Sequence, residues 1–263
     1  MISGNLYKIF CIFDVLTLKI KIMSISKPRL TNPANRFYEW KGDKGSLVYY
    51  DKEEGKQVKV DLPLKFIVLD STNTIVGYSE KEQSGIYSNE VHDLTNEVLN
   101  VKYFGGGTIA KGKYDQVKDA VKSAGGKFCK VVYAIVDEGG WKLVAFKFSG
   151  AAFGSWLEFA RKVDLTSKGV QFNEETEDGK KGSVKYKMPT FTSLNLKPEH
   201  LEIAIEEDKS LQKYFDSYKA QQREFANEEV VEKEVKFTPA EYKKASQGGD
   251  DVGETQEDDD LPF

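Results

Sequence analysis

The sequence predicts a mainly β protein with helices, in the mixed α+β class. Runs rich in β-branched and aromatic residues recur over residues 36–194, and turns rich in Gly, Asp and Ser separate them. Other segments repeat apolar residues at helical spacing instead. With 40% hydrophobic and 12% aromatic residues in a chain of 263, there is enough apolar material for a substantial core.

The first elements are predicted as two β-hairpins followed by another strand. RFYEW and SLVYYD (residues 36–51) flank the turn KGDKG, and LPLKFIVLD and NTIVGY follow, joined by a short Ser-Thr turn. Residues 79–96 are polar and are predicted as a loop. EVLNVKYF then predicts a strand, which the glycines at 105–107 end.

The next elements alternate between helices and strands. KYDQVKDAVKSAGG predicts a helix that two glycines terminate, and the strands KFCKVVYAIVD and GWKLVAFKFS follow it, joined by the turn EGG. AAFGSWLEFARKV predicts a second helix with Phe153, Trp156, Leu157 and Ala160 as its apolar stripe. Residues 169–194 predict two short strands around the acidic loop NEETEDGKKG.

Three strands, a helix and a closing hairpin is the element order of an OB-fold, a five-stranded Greek-key barrel that binds oligonucleotides. We therefore predict an OB-fold barrel with added helices and strands over residues 23–194. Residues 195–244 are predicted to be mostly helical, since Pro198 suits a first helical turn. Residues 245–263 have no periodic apolar pattern and are predicted to form a disordered acidic tail.

Residues 1–22 are predicted to be an upstream extension of a chain whose native start is Met23. The segment is apolar, but charged residues interrupt it too often for a membrane span, and it lacks the basic start and cleavage site of a signal peptide. The two cysteines, Cys11 and Cys129, fit a reducing compartment and form no zinc-spaced cluster with the two histidines. A cytoplasmic location is expected, without a metal or cofactor.

Charge is distributed unevenly along the chain. Residues 1–190 carry 29 Lys and Arg against 23 Asp and Glu, a balance of +6, whereas residues 191–263 carry 9 against 19, a balance of −10. A mildly basic body suits an anionic partner, and an acidic tail suits a basic one. The tail could equally serve only to keep the protein soluble.

One stretch approaches a catalytic signature. GTIAKGKY (residues 107–114) matches the first seven positions of a phosphate-binding loop, but Tyr114 stands where a magnesium-binding Ser or Thr is needed. It is either a glycine turn before a helix or a place where Lys111 and Lys113 contact phosphate. The acidic pairs show no grouping typical of a two-metal nuclease, so the sequence does not favour an enzyme.

Basic and aromatic residues interleave on the predicted strands, as single-strand binding requires. Strand alternation puts Arg36, Tyr38 and Trp40 on one face, beside the turn with Lys41 and Lys44. For each aromatic residue taken alone, a place in the core is the alternative. The further predicted contacts with single-stranded nucleic acid are Tyr49, Tyr50, Lys65, Tyr78, Lys102, Tyr103, Lys111, Lys113, Trp141 and Lys147.

The last six residues put an apolar plug after a run of aspartates: Asp258, Asp259, Asp260, Leu261, Pro262 and Phe263. This ending resembles the tip of bacterial and phage single-stranded DNA-binding proteins (SSBs). NPANRFYEWKG and GAAFGSWLEFARK are similar to the phage branch of that family. The segment 79–96 and the elements after residue 150 depart from a minimal barrel.

The resemblance implies a non-catalytic protein that coats single-stranded DNA and recruits replication, repair or recombination enzymes through its tip. Phe263 would enter an apolar pocket on the partner, and the aspartates would meet its basic rim. Two alternatives stay open. One is an adaptor that acts through the tail without binding nucleic acid, which the weak basicity of the body favours. The other is a nucleotide-dependent enzyme that uses Lys113, or a nuclease subunit.

Overall fold

A computed structural model describes residues 30–232, with side chains described up to residue 223. The predicted extension at 1–22, the acidic tail at 245–263 and its tip lie outside the described residues. The chain divides into two units after Phe215. The described part of the first unit is a body of residues 30–215, and that of the second unit is helix only.

The described residues form eleven strands and three helices. Their bounds are β1 (Arg36–Lys41), β2 (Ser46–Asp51), β3 (Lys56–Lys59), β4 (Leu64–Ser79), β5 (Ser84–Ser88), β6 (Leu99–Tyr103), β7 (Thr108–Gly112), α1 (Tyr114–Ser123), β8 (Gly126–Asp137), β9 (Trp141–Ser149), α2 (Ala151–Lys162), β10 (Lys168–Lys181), β11 (Val184–Asn195) and α3 (Pro198–Glu232). The predicted mixed α+β class is confirmed.

The strands form one sheet in the order β3-β2-β1-β9-β8-β4-β5-β6-β7. Neighbouring strands are antiparallel except β1 and β9, which are parallel. A branch leaves this path, because β10 pairs with the start of β4 and β11 pairs with β10. Among the described strands the sheet is not closed into a barrel, which corrects the predicted five-stranded barrel.

Strand β4 replaces the predicted second hairpin. The Ser-Thr segment expected to turn stays extended, with Ser71, Thr72 and Asn73 paired opposite β8. Their polarity is tolerated because the segment after β5 supplies partners: Thr72 Oγ1 donates to a Glu90 carboxylate oxygen at 2.5 Å, and Asn73 Nδ2 donates to the His92 carbonyl at 2.9 Å. Satisfied polar groups can therefore lie in the middle of a long buried strand.

Two predicted loops are partly strands. Residues 79–96 contain β5, which pairs with both β4 and β6. The acidic segment NEETEDGKKG lies largely within β10, where residues 176–181 pair with β11. In both cases a partner strand satisfies the backbone of a polar segment whose composition suggests a loop.

Three apolar cores position these elements. Helix α2 packs on one face of the sheet, where Trp156 joins Phe66 and Phe148. Helix α1 packs on the same face over β5–β7. The first half of α3, through Leu211 and Phe215, packs on the opposite face over β4, β8 and β9. We call this opposite side the α3 face.

Candidate nucleic-acid interface

The far ends of β10 and β11 form an arm that leaves the sheet. β10 pairs with β4 only through residues 170–172, and after an irregularity the hairpin continues over residues 176–189. The arm is held against the β1–β2 turn, because the Lys187 N–H donates to the Gly42 carbonyl at 2.8 Å. Trp40 Nε1 in turn donates to the Lys187 carbonyl at 2.9 Å.

An open groove of about 520 Å³ lies between this turn and the arm. We call it the arm groove, and its lining is Gly42, Asp43, Asp178, Gly179, Lys180, Lys185, Tyr186 and Lys187. Lys187 forms an ion pair with Asp178 at 2.5 Å. Within residues 30–223, Lys180 and the neighbouring Lys44 make no ion pair, whereas Lys187 and Lys185 both lower the pKa of Asp178.

A half-buried aromatic ring forms one wall of the groove. Gly179 is paired opposite Tyr186, and the tyrosine ring occupies the space that a side chain at Gly179 would need. Packing over the glycine fixes the ring, which also lines the open groove.

Trp40 and Lys41 are less available than predicted. The Trp40 ring is half-buried and lies against Phe172, with 5.4 Å between ring centroids. The Lys41 ammonium pairs with Glu39 at 3.0 Å. Trp40 thus supports the arm through its bond to Lys187 more than it offers a free stacking face.

Tyr38 is wrongly predicted as a stacking residue, because it is fully buried. Its hydroxyl donates to Glu138 at 2.7 Å, and its ring packs against Phe146 and Tyr49. Burial and the adjacent carboxylate raise the pKa of Tyr38 above its ordinary value. Arg36, Tyr38 and Trp40 share one face of β1, as strand alternation predicts, but this face belongs to the apolar core under α2.

Arg36 is engaged within the protein. Its guanidinium pairs with Glu138 at 2.6 Å and lies over the Tyr49 ring, 4.4 Å from the centroid. Arg36 and Tyr49 also line a separate open cleft of about 530 Å³, together with Tyr50, which is 60% exposed, and Lys147. The Lys147 ammonium lies 4.8 Å from the centroid of a neighbouring phenylalanine ring.

Two other predicted aromatic residues serve mainly in packing. Trp141 meets His200 of α3 edge-on at 5.2 Å, and Tyr103 packs against the core under α1. Lys65 is exposed on β4, opposite β10. These positions lie on different elements, and no described contact joins them to the arm groove.

The segment that resembles a phosphate-binding loop is not a loop. Thr108–Gly112 forms β7, paired with β6, so its backbone serves the sheet. Lys113 follows as the residue before α1, and its N–H donates to Gln116 Oε1 at 3.0 Å. Both Lys111 and Lys113 are exposed.

Tyr78, Lys102 and Lys111 lie on the α3 face of β4–β7. The structure adds Tyr87 and Phe104 to them, both exposed and both missed from the sequence. Tyr87 was missed because it lies in the segment predicted as a loop. The alternation in SGIYS, with Ile86 buried and Tyr87 exposed, is the signal that could have found it.

The arm residues were also missed. The surrounding segment has the composition of an acidic loop, so the sequence did not indicate Lys180, Lys185, Tyr186 and Lys187. Two glycines in GKKG between polar strands are the signal that could have indicated a hairpin tip.

No group of three or more His, Cys, Asp or Glu side chains that could hold a metal ion is found within residues 30–232. In the same range, no helix has the length and apolar content needed to cross a membrane. No protein-family model, curated protein or solved structure matches the chain.

Proposed function

We propose that this protein binds single-stranded DNA through the arm groove and recruits other proteins through its acidic C-terminal tail. The observation that carries the proposal is the meeting, in one open groove, of three lysines with the half-buried Tyr186 ring. Single-strand binding combines cations that follow the phosphates with aromatic faces on which bases stack, and it tolerates any sequence.

The order of elements supports an OB-type body at a different place from that predicted. Strands β4, β8 and β9 are successive antiparallel neighbours, α2 follows them, and the β10–β11 hairpin pairs back onto β4. This is again three strands, a helix and a hairpin, with β5–β7 and α1 inserted after the first strand. In OB-folds the loop of the closing hairpin contributes to oligonucleotide binding, and here that loop is the tip of the arm.

The tail proposal rests on the sequence. An aspartate run before Leu261, Pro262 and Phe263 suits a basic rim around an apolar pocket on a partner. The partner class is an enzyme of DNA replication, repair or recombination, since such enzymes act where single strands are exposed.

The groove is tested by Lys180→Ala with Lys185→Ala, and separately by Tyr186→Ala. Loss of two phosphate contacts should reduce the slope of log affinity against log salt by about 1.4, since each contributes about 0.7 on single strands. Loss of the ring should cost about 1–3 kcal/mol of binding free energy. Titration of fluorescent oligo-dT over a range of salt, with duplex DNA as competitor, measures both.

Lys209→Ala is the matched control, because this lysine is exposed on α3 and pairs only locally with Glu206. Unchanged affinity in the groove variants would remove the groove from the proposal. If the full chain binds no oligonucleotide, the adaptor alternative replaces DNA binding. Turnover of ATP or DNA would instead establish an enzyme.

A further inference from the structure

An ordered row of side chains crosses four strands on the α3 face, and within it Val76 packs against the core that includes Leu211 and Phe215. Val76 of β4 pairs with Lys127 of β8 on one side and with Tyr87 of β5 on the other, and Tyr87 pairs with Lys102 of β6. Paired residues in antiparallel strands lie on the same face, so these four side chains lie side by side. Lysines therefore flank an exposed tyrosine in one row.

The adjacent row adds two more exposed rings. Tyr78 of β4 pairs with Gly85 of β5, and the Phe104 N–H donates to the Gly85 carbonyl at 2.8 Å. A Cβ on Gly85 would lie 3.3 Å from the Phe104 ring, so the ring rests over the glycine between its neighbours. Phe104 also meets Tyr87 edge-on, with centroids 5.4 Å apart.

The exposure of these rings is unusual for a folded body. Phe104 is 74% exposed, Tyr78 is 53% exposed and Tyr87 is 41% exposed. A phenylalanine that leaves most of its surface in water contributes little to folding, because the stabilisation scales with the apolar area that is buried. A cluster of three exposed rings indicates a surface that another molecule covers.

The charges around the rings identify the class of that molecule. Lys102, Lys111 and Lys127 belong to the same face, because Asn100, two residues before Lys102, pairs with Lys111. Carboxylates lie near these positions in the sequence: Glu80 and Glu82 in the β4–β5 turn, Glu90 after Tyr87, Glu97 before Lys102 and Asp115 after Lys111. Cations beside exposed rings complement a flexible polyanion with aromatic bases.

We infer that this surface is a second site for single-stranded nucleic acid, separate from the arm groove. The inference rests on the proposed function, since it assigns the same ligand class to a different part of the body. Bases stack on Phe104, Tyr87 and Tyr78, and the lysines contact phosphates. The two sites share no residue: this surface is built from β4–β8, and the groove from the β1–β2 turn and the arm.

The test compares three full-length proteins and one control variant with fluorescent oligo-dT of about eight nucleotides, a length within the range that one such site covers. The first carries Tyr87→Ala and Phe104→Ala, the second carries the arm changes Lys180→Ala, Lys185→Ala and Tyr186→Ala, and the third is the unchanged protein. Ile205→Ala, at an exposed apolar residue of α3, is the control. Thermal melts followed by circular dichroism check that each variant is folded.

The unchanged protein and the Ile205→Ala control should bind two short oligonucleotides per chain, and each of the two site variants should bind one tightly. The affinity of the altered site should fall about tenfold or more. Oligonucleotides with 5-iododeoxyuridine should form photocrosslinks to peptides containing Tyr78, Tyr87 or Phe104, which mass spectrometry identifies.

The outcomes separate the two sites. Crosslinks confined to the arm, with full binding by the Tyr87→Ala/Phe104→Ala protein, would overturn this inference and leave the proposed function intact. Binding and crosslinks at Phe104 that persist in the arm variant, with no second site, would support the inference and remove the groove. No crosslink, together with a change in sedimentation when Phe104 is replaced, would make the surface an interface between copies of this chain and overturn the inference.

Discussion

At the scale of single residues, burial decides what an aromatic ring can do. Tyr38 and Tyr186 both lie on strands beside basic residues, yet one is fully buried and the other is half-buried and lines a groove. Strand alternation shows which residues share a face. It does not show which face a helix will cover, and α2 covers the Tyr38 face.

The buried role of Tyr38 can be tested directly. Tyr38→Phe removes the hydroxyl that donates to Glu138 but keeps the ring in place. The free energy of unfolding should fall by about 1.5–3 kcal/mol, the usual worth of a hydrogen bond to a charged group. Urea denaturation measures this, and oligo-dT affinity should be unchanged. A loss of affinity at constant stability would return Tyr38 to the binding surface.

Some site residues were predictable and others were not. Tyr78, Lys102 and Lys111 were predicted, and the structure groups them on one surface. Phe104 was not predicted as a binding residue, because the glycines after it mark the end of a strand. Nothing in the local sequence says that Gly85, nineteen positions earlier, lies opposite and leaves room for its ring. Such pairings are set by tertiary register.

At the scale of elements, apolar runs were predicted well and polar strands were not. The long β-branched runs of β8 and β9 and the helical pattern of α1 fall close to their predicted bounds. β4 was divided in two, because the polar centre of the strand resembles a turn. The partners that satisfy this centre come from residues 88–92, which sequence periodicity cannot connect to it.

The docking of α3 on the sheet depends on its apolar stripe. Leu211 is fully buried in the core between α3 and strands β4, β8 and β9. Leu211→Ala should therefore lower the free energy of unfolding by about 2–5 kcal/mol. Leu201→Ala is the matched control on the same helix, at a residue that is 40% exposed. Chemical denaturation compares them. Equal effects would show that α3 is not held through this stripe.

A carboxylate also ties α3 to β4, and its effect depends on pH. Asp70 Oδ2 accepts from Gln212 Nε2 at 2.9 Å and lies 3.1 Å from His92 Nε2. Burial alone would raise the pKa of Asp70, but the bonds from His92, Gln212 and the Ser71 N–H outweigh it and hold the pKa below its ordinary value.

A depressed pKa in the folded state means that Asp70 contributes stability above its ordinary pKa. That contribution is lost as the pH falls below about 4 and through the lower folded value. Asp70→Asn should therefore have a lower free energy of unfolding than the unchanged protein at neutral pH. Its free energy of unfolding should also fall less steeply as the pH is lowered below about 4. Urea denaturation from pH 7 to pH 2 measures this. Parallel curves for the two proteins would contradict the assigned role.

At the scale of the whole molecule, opposite charges separate along the chain. Residues 1–190 carry a balance of +6, and residues 191–263 carry a balance of −10. We expect a chain that ends at Ala245 to bind oligo-dT at least as tightly as the full chain, with any gain shrinking as salt screens the charges. Deletion of Phe263 should leave DNA affinity intact and abolish capture of partner enzymes. Loss of DNA binding on that deletion would contradict the division of roles.

The predicted barrel illustrates what sequence order cannot determine. The list of strands and helices gave the correct class, but closure depends on which edges meet. Here the arm approaches the β1–β2 turn through the bonds of Gly42, Trp40 and Lys187 without forming a ladder. Barrel closure requires strand tilt and register to agree around the whole sheet, a property that no single segment encodes.

Strand β4 connects the parts of the sheet that carry the two proposed sites. It pairs with β10 near its start and with β5 at its end, and the arm extends beyond the residues of β10 that pair with β4. A short oligonucleotide should therefore occupy one site at a time. A strand long enough to bridge both sites should bind more tightly, because its second contact becomes intramolecular. The length of DNA at which affinity rises would then report the separation of the two sites.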